Sequence, residues 1–194
     1  MDDDPTTHDG QDVLEHIRAA RSGDRAAFSV VYRHFAPMVH AILLSKLPAR
    51  DADDLVHDVF VNALRRIGDL HDERRCGAWL AQIARRCAVD RYRKRSREDD
   101  VREALRHEPP SNDRTALPLD ADTALRAIRG LPEGYAEILM MRFVEGLNGP
   151  AIAERLGLTH DSARNKLARA MTMLRARLGV VPNAETPGTQ GTRT

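Results

Sequence analysis

Two stretches of the chain concentrate arginine and lysine. Residues 80–97 carry seven basic residues against the single acid Asp90, and residues 160–177 carry five against Asp161. Guanidinium groups form paired hydrogen bonds with phosphate oxygens and stack on flat bases, so both stretches suit a nucleic acid. Because the whole chain is nearly neutral, with 30 basic and 29 acidic residues, this uneven distribution predicts two separate surfaces for a polyanion.

Acidic segments lie beside these basic stretches. Residues 98–122, between the two, hold eight acids against three arginines, and residues 1–12 hold five aspartates and no base. Proline, serine and asparagine follow in the connecting segment, which has few apolar residues to bury. We expect residues 98–118 to be a flexible linker, residues 1–11 to be a disordered acidic N-terminus, and residues 179–194 to be a disordered tail.

The first basic stretch ends a region with helical periodicity, in which apolar residues recur every three or four positions. One helix is capped by Asp24, contains Pro37, which should bend it, and ends at Pro48. A polar loop over residues 69–77 precedes another helix, which begins near Trp79 and runs into the basic stretch. Between them, a helix starts near residue 51 and carries a buried stripe: Leu55, Val56, Val59, Phe60, Ala63, Leu64 and Ile67.

The second basic stretch follows a helix-turn-helix pattern. Two helices are expected over residues 121–129 and 133–145, and two more lie on either side of Gly157, with the small Ala153 where they approach. The last helix, from His160 onward, would read DNA. The fold class is therefore all-α, with two small helical domains, residues 12–97 and 119–178, joined by the linker.

Catalytic and metal-binding motifs are missing from the sequence. No Walker loop, GxSxG elbow, HExxH or paired His/Cys ligand pattern occurs, and His71, Cys76 and Cys87 match no known metal spacing. We therefore expect no enzyme activity, no metal and no cofactor. The longest uninterrupted apolar runs, such as residues 41–44, are far below the roughly 20 residues of a membrane span. With an acidic N-terminus unlike a signal peptide, these features predict a cytoplasmic protein.

Three motifs occur in a characteristic order. They are residues 51–60 (DADDLVHDVF), residues 79–86 (WLAQIARR), and residues 131–133 (LPE) with 138–147 (ILMMRFVEGL). With the helix-turn-helix after the third, the chain resembles the sigma-70 family of bacterial RNA polymerase sigma factors, in the extracytoplasmic function (ECF) subfamily. The resemblance implies that the first domain (sigma region 2) binds core RNA polymerase and opens the promoter's minus-ten element. The second (sigma region 4) reads the minus-thirty-five element.

The resemblance also implies roles for particular residues of the first domain. Asp54, His57 and Asp58 lie outside the apolar stripe and would contact core polymerase, although the family commonly has glutamine at the His57 position. From the residues alone, Asp54 could equally serve, with Asp51 and Asp53, to favour a helix N-terminus.

Four arginines after the apolar part of the Trp79 helix would contact the minus-ten element: Arg85, Arg86, Arg93 and Arg97. The family often has asparagine at the Arg86 position, which implies an altered sequence preference. Trp79 itself is interpreted as a core residue. The polar loop matches the segment that captures a flipped base, and Asp72, Glu73 and Arg74 could bind one. A plain solvated loop is an equal alternative.

The final helix matches the family's major-groove positions at Arg164, Asn165, Lys166, Ala168 and Arg169, where arginine can bind guanine and asparagine adenine. The alternative is a charged, solvated helix face. Asp161 departs from the family pattern and would repel phosphate. The resemblance further implies an anti-sigma partner. A conventional helix-turn-helix regulator would explain residues 121–178 but leaves the first domain without a role, and an enzyme would need a site that the sequence lacks.

Overall fold

The structure is a computed structural model that describes residues 6–103 and 121–179, with side chains over 12–94 and 123–179. Within these residues there are α-helices, two short 3₁₀ turns and no β-strand, which confirms the all-α fold class. The helices are α1 (Thr6–Arg21), α2 (Arg25–Leu44), α3 (Ala49–Arg66), α4 (Cys76–Glu103), α5 (Ala121–Arg129), α6 (Glu133–Phe143), α7 (Gly149–Leu156) and α8 (His160–Leu178).

The first helical region, α1–α4, is organised around α2. Asp24 begins this helix by accepting hydrogen bonds from the backbone N–H groups of Ala26 (2.8 Å) and Ala27 (3.1 Å), which satisfies donors that a helix start leaves unpaired. The side chains of Met38, Ile42 and other residues on several faces of α2 are fully buried. Helices α1, α3 and α4 all pack against α2, so it is the core of this region.

The composition of α2 is apolar enough to resemble a membrane span. Its 20 residues contain an 18-residue window of mean hydropathy 1.3, half of which is buried inside the protein. The argument from uninterrupted apolar runs missed this, because polar residues such as Arg33 and His34 interrupt the helix. Contacts with α1, α3, α4 and α6 account for the apolar composition, since a helix surrounded by others buries most of its faces.

The second helical region, α5–α8, contains the predicted helix-turn-helix. Gly157 adopts a left-handed φ of 64° at the end of α7, a conformation that glycine tolerates without strain. Leu158 then donates its N–H to the Ala153 carbonyl at 2.8 Å. The Thr159 hydroxyl accepts the N–H of Ser162 at 3.2 Å and starts α8. Both helices are therefore fixed by local signals, as expected from the sequence.

Several boundaries differ from the expectations. Helix α1 begins at Thr6, inside the segment expected to be disordered. Helix α4 begins at Cys76, within the predicted loop, and continues to Glu103, past the expected linker start at residue 98. No glycine or proline interrupts residues 78–103, so nothing in the sequence stops this helix earlier. Leu64 was expected in the buried stripe of α3, but its side chain is 39% exposed. The rest of the linker and both chain ends lie outside the described residues.

The two regions pack against each other, which the sequence did not indicate. Helices α2 and α4 of the first region contact α6 and α7 of the second. They approach closely at Gly77, where an added Cβ would lie 1.8 Å from the backbone oxygen of Arg155. Glycine at this position allows the backbones of α4 and α7 to meet.

Candidate nucleic-acid interface

The acids of α3 divide into two groups. Asp51 pairs with Arg91 of α4, at 3.7 Å between Oδ1 and Nη1, and Asp53 pairs with His40 of α2 at 2.9 Å. Asp54 is exposed and lies beyond the first turn of the helix, where the helix dipole contributes little. A role in favouring the helix N-terminus therefore explains Asp54 poorly.

The other two residues of this predicted surface lie beside Asp54. His57 and Asp58 are both exposed on α3, one turn along the helix from Asp54. The burial of Leu55, Val59 and Phe60 in the first region fixes which face of α3 is turned outward. Asp54, His57 and Asp58 thus form one accessible acidic face, which a basic partner could contact.

Arg85 occupies a different environment from the other arginines of α4. Its Nε donates to Glu137 Oε1 at 2.8 Å and its Nη2 donates to Glu137 Oε2 at 2.6 Å. A second carboxylate, that of Glu133, lies 3.3 Å from its Nε. The hydrogen bond and charge of Glu137, partly opposed by burial, raise the pKa of Arg85 above its ordinary value. In this structure Arg85 is engaged by α6.

Arg86 and Arg93 are exposed on α4. Because they are seven residues apart, they lie nearly above one another on one helix face. Arg97 lies four residues after Arg93 in α4, but its side chain is outside those that the structure describes. Arg86 and Arg93 are thus accessible to a polyanion, while the guanidinium of Arg85 is already paired with Glu137 in this conformation.

The polar loop before α4 has mostly local contacts. The Asp72 carboxylate accepts the N–H of Arg74 at 3.0 Å and starts a 3₁₀ turn. Glu73 forms an ion pair with Arg21 of α1. Arg74 has an exposed side chain. Of the three residues expected to offer hydrogen bonds to a base, Asp72 and Glu73 have partners within the first region, and Asp72 and Arg74 are exposed.

The predicted major-groove residues of α8 do not all face the same way. Arg164, Asn165, Ala168 and Arg169 are exposed. Lys166 is partly buried, and an added Cβ on Gly134 of α6 would lie 2.7 Å from its Nζ. Arg164 Nη2 also pairs with Asp161 Oδ1 at 2.9 Å, where both side chains are well exposed. The structure therefore brings four of the five residues onto one outward face and turns Lys166 towards α6.

Comparison with known proteins decides the family. The model of Sigma-70 region 2 matches residues 31–98, and the model of Sigma-70 region 4 matches residues 122–174. Together these models cover α3, most of α2 and α4, and the helix-turn-helix. The chain belongs to the sigma-70 family of RNA polymerase sigma factors, in its ECF group.

Relatives of this sigma factor share about a quarter of its residues. The ECF RNA polymerase sigma factor BldN of Streptomyces coelicolor is 28% identical over 173 residues, a match that spans 86% of this chain and 66% of BldN. CnrH of Cupriavidus metallidurans is 28% identical over 183 residues, spanning 86% of this chain and 94% of CnrH. The structure of CnrH in complex with the cytosolic domain of CnrY superposes with a TM-score of 0.52, at 26% identity, covering 87% of this chain and 97% of that one.

Sequence reasoning missed the residues that join the two regions of this sigma factor. His40 of α2 lies between two carboxylates, 2.6 Å from Glu145 Oε1 and 2.9 Å from Asp53 Oδ1. Glu137 is only 2% exposed. The sequence offered one signal for this contact, which is the position of Glu137 within the apolar run of α6. A buried carboxylate needs a charged or hydrogen-bonding partner, so a glutamate in such a run predicts one.

Neither cysteine is poised for chemistry. Burial raises the pKa of the Cys76 thiol to about 12, and burial is also the main cause that raises the pKa of Cys87. Both are therefore thiols at neutral pH, which are weak nucleophiles and weak metal ligands. Among the described residues, no group of three or more His, Cys, Asp or Glu side chains is arranged to hold a metal ion.

Proposed function

We propose that this sigma factor binds core RNA polymerase and directs it to promoters, where it opens the DNA and begins transcription. The observation that carries the proposal is the ordered match to both sigma regions, 31–98 and 122–174. It is supported by the two basic helices α4 and α8, one in each region. As a transcription initiation factor it would contribute binding and strand separation, and we propose that it catalyses no reaction itself.

Core polymerase would bind the acidic face of α3 formed by Asp54, His57 and Asp58. All three side chains are exposed, and Asp54 lies beyond the first turn of α3, where the helix dipole contributes little. A charged face of this kind attracts a basic partner over several ångströms before contact. The site assignment is a proposal carried over from the family resemblance.

Promoter DNA would bind at two places. The minus-ten element would meet α4 through Arg85, Arg86, Arg93 and Arg97, and the minus-thirty-five element would meet the outer face of α8. On α8, Arg164, Asn165, Ala168 and Arg169 would enter the major groove, while Lys166 would contact phosphate only if it left α6. The corresponding domain organisation would be residues 12–97 and 119–178, joined by residues 98–118.

An anti-sigma factor is the proposed regulator. CnrH, which this chain resembles in fold, was solved in complex with the cytosolic domain of CnrY. We propose a comparable protein partner here, and a cytoplasmic location, where polymerase acts. A stand-alone helix-turn-helix regulator would account for residues 121–178 but not for the match over residues 31–98.

Run-off transcription with purified core polymerase tests the proposal. A library of genomic fragments is transcribed with core enzyme alone, with the sigma factor alone, and with both together. We expect specific transcripts only from the combination, with start sites that share two spaced elements upstream. Transcripts that are the same with and without the sigma factor, or tight binding to duplex DNA in the absence of polymerase, would reject it.

A further inference from the structure

We propose that a cavity between the two regions binds a small organic anion, with a flat apolar body and a carboxylate or phosphate head group. The cavity has a volume of about 530 Å³, which is within the range of small-molecule sites, and such sites often lie between domains. Its walls are the residues just after α2, part of α4, the end of α5 and the start of α6. It is called the Lys46 cavity below. This site goes beyond the proposed function and does not depend on it.

The Lys46 cavity carries an excess of positive charge. Three basic side chains line it: Lys46, Arg93 and Arg129. Among the described lining residues the one acid is Glu133. Its carboxylate is shared, because it lies 3.1 Å from Lys46 Nζ and 3.3 Å from Nε of Arg85. Three positive charges around one space, with their acid already paired twice, favour a negatively charged occupant.

Two of these basic side chains keep hydrogen-bond donors for a ligand. The ammonium group of Lys46 has three donors, and its contact with Glu133 uses one of them. Arg129 donates its Nε–H to the Leu44 carbonyl at 2.9 Å, and within the described part of the chain its two terminal nitrogens have no hydrogen-bond acceptor. Such nitrogens offer paired donors, which match the two oxygens of a carboxylate or phosphate.

The same cavity offers apolar surface for the body of the ligand. Ala88 of α4 and Ala136 of α6 are buried, and their short side chains account for the space between the two helices. Val89 is 39% exposed and Tyr92 is 64% exposed, so a branched side chain and a flat ring of the lining are in contact with water. A flat ligand can stack on tyrosine and on a guanidinium group such as that of Arg93. Binding would therefore remove apolar surface from water.

A second cavity of similar volume lacks this charge. It measures about 490 Å³ and lies between α2 and α3. Its charged or titratable lining residues, among those described, are Arg33, His40, Asp53 and Glu145. The two carboxylates balance the two bases, so this cavity does not favour an anion. Charge distinguishes the Lys46 cavity from it, and the cavity beside His40 serves as an internal comparison for where a ligand binds.

An NMR titration of the isotope-labelled full-length chain tests the proposal. The probes are naphthoate, naphthyl phosphate and the neutral naphthamide, which share one ring system and differ in the charge of the head group. We expect the amide resonances of Val89, Tyr92 and Leu131 to shift, and those around His40 to stay unchanged. The two anions should bind about tenfold more tightly than naphthamide, the effect of one charge-assisted hydrogen bond. The tighter of the two anions identifies the preferred head group.

Lys46→Gln tests the contribution of charge directly. It removes one positive charge from the lining and keeps a long polar side chain, so naphthoate should bind about three- to tenfold more weakly while naphthamide is unaffected. Lys46→Arg keeps the charge and should keep the affinity. Arg126→Gln is the matched control, because Arg126 is exposed on α5 and is not among the lining residues. Circular dichroism reports whether each variant is folded, and if Lys46→Gln is not, the three probes on the wild type decide alone.

Equal affinity of the wild type for naphthoate and naphthamide overturns the anion site. Wild-type affinity for naphthoate in a folded Lys46→Gln protein does so as well, and so do resonance shifts centred on His40 instead of the Lys46 cavity. None of these measurements involves polymerase or DNA. Failure of the ligand site therefore leaves the proposed function intact, and failure of polymerase-dependent transcription leaves the ligand site intact.

Discussion

His40 Nδ1 lies 2.6 Å from a carboxylate oxygen of Glu145, so one imidazole links α2 of the first region to the second residue after α6 of the second region. Its other nitrogen meets Asp53 of α3 at 2.9 Å. Only a protonated imidazole donates from both nitrogens at once. The contact between the two sigma regions therefore includes a group whose charge changes near neutral pH.

This arrangement predicts a pH-dependent stability. The hydrogen bond to Glu145 is the largest cause that raises the pKa of His40 above its ordinary value of 6.5, and burial opposes it. Because the pKa is higher in the folded chain, the stabilisation is fully present below about pH 6.5 and is lost as the pH rises through the folded value. Arg33 and Tyr32 line the same cavity, but arginine keeps its charge throughout this range.

Thermal unfolding of wild type and His40→Gln, measured at intervals from about pH 6 to pH 8.5, checks this prediction. The melting temperature of the wild type should fall relative to that of His40→Gln as the pH rises. His57→Gln is the matched control, because His57 is exposed on α3. Parallel curves for wild type and His40→Gln would show that His40 does not stabilise the fold through its charge.

Reversing the charge of the α3 face should prevent polymerase binding. Asp54→Arg with Asp58→Arg replaces two exposed carboxylates by guanidinium groups, so a basic partner would be repelled. We expect the double variant to lose co-purification with core polymerase while its far-UV circular dichroism stays unchanged. Asp12→Arg with Glu15→Arg, on exposed positions of α1, changes the net charge equally and should still co-purify. Retention of polymerase by the α3 variant would reject this face.

Local features of this fold could be predicted from the sequence, and contacts between distant residues could not. Gly157 and Thr159 identify the helix-turn-helix because their effects reach only three or four residues. In contrast, the sequence does not distinguish Asp53 from Asp54, because the partner of Asp53, His40, is on another helix. The pairing of Arg85 with Glu137 spans 52 residues, and only the packed structure brings them together.

Removing the outer arginines of α8 should weaken promoter use. Arg164→Ala and Arg169→Ala each delete an exposed guanidinium from the predicted major-groove face, and a lost base contact costs about 1–3 kcal/mol. Initiation at a promoter with a good minus-thirty-five element should fall by about fivefold to over a hundredfold per substitution. Arg175→Ala, in the last turn of the same helix, is the control. Transcript yields equal to wild type from both variants would refute the assignment.

Asp161 should act against DNA binding by α8. Its Oδ1 lies 2.9 Å from Arg164 Nη2, so it both partly neutralises that guanidinium and places a negative charge where the helix start would approach phosphate. An exposed pair of this kind contributes little to stability, and Asp161→Asn should leave the melting temperature nearly unchanged. Affinity for duplex DNA with a minus-thirty-five element, measured with the polymerase holoenzyme, should rise about two- to tenfold. The increase should be larger at low salt, because salt screens the charge of the aspartate. Glu154→Gln, an acid of α7 outside the recognition helix, is the comparison. Weaker DNA binding by Asp161→Asn would show instead that the ion pair with Asp161 orients the Arg164 side chain for contact with a base.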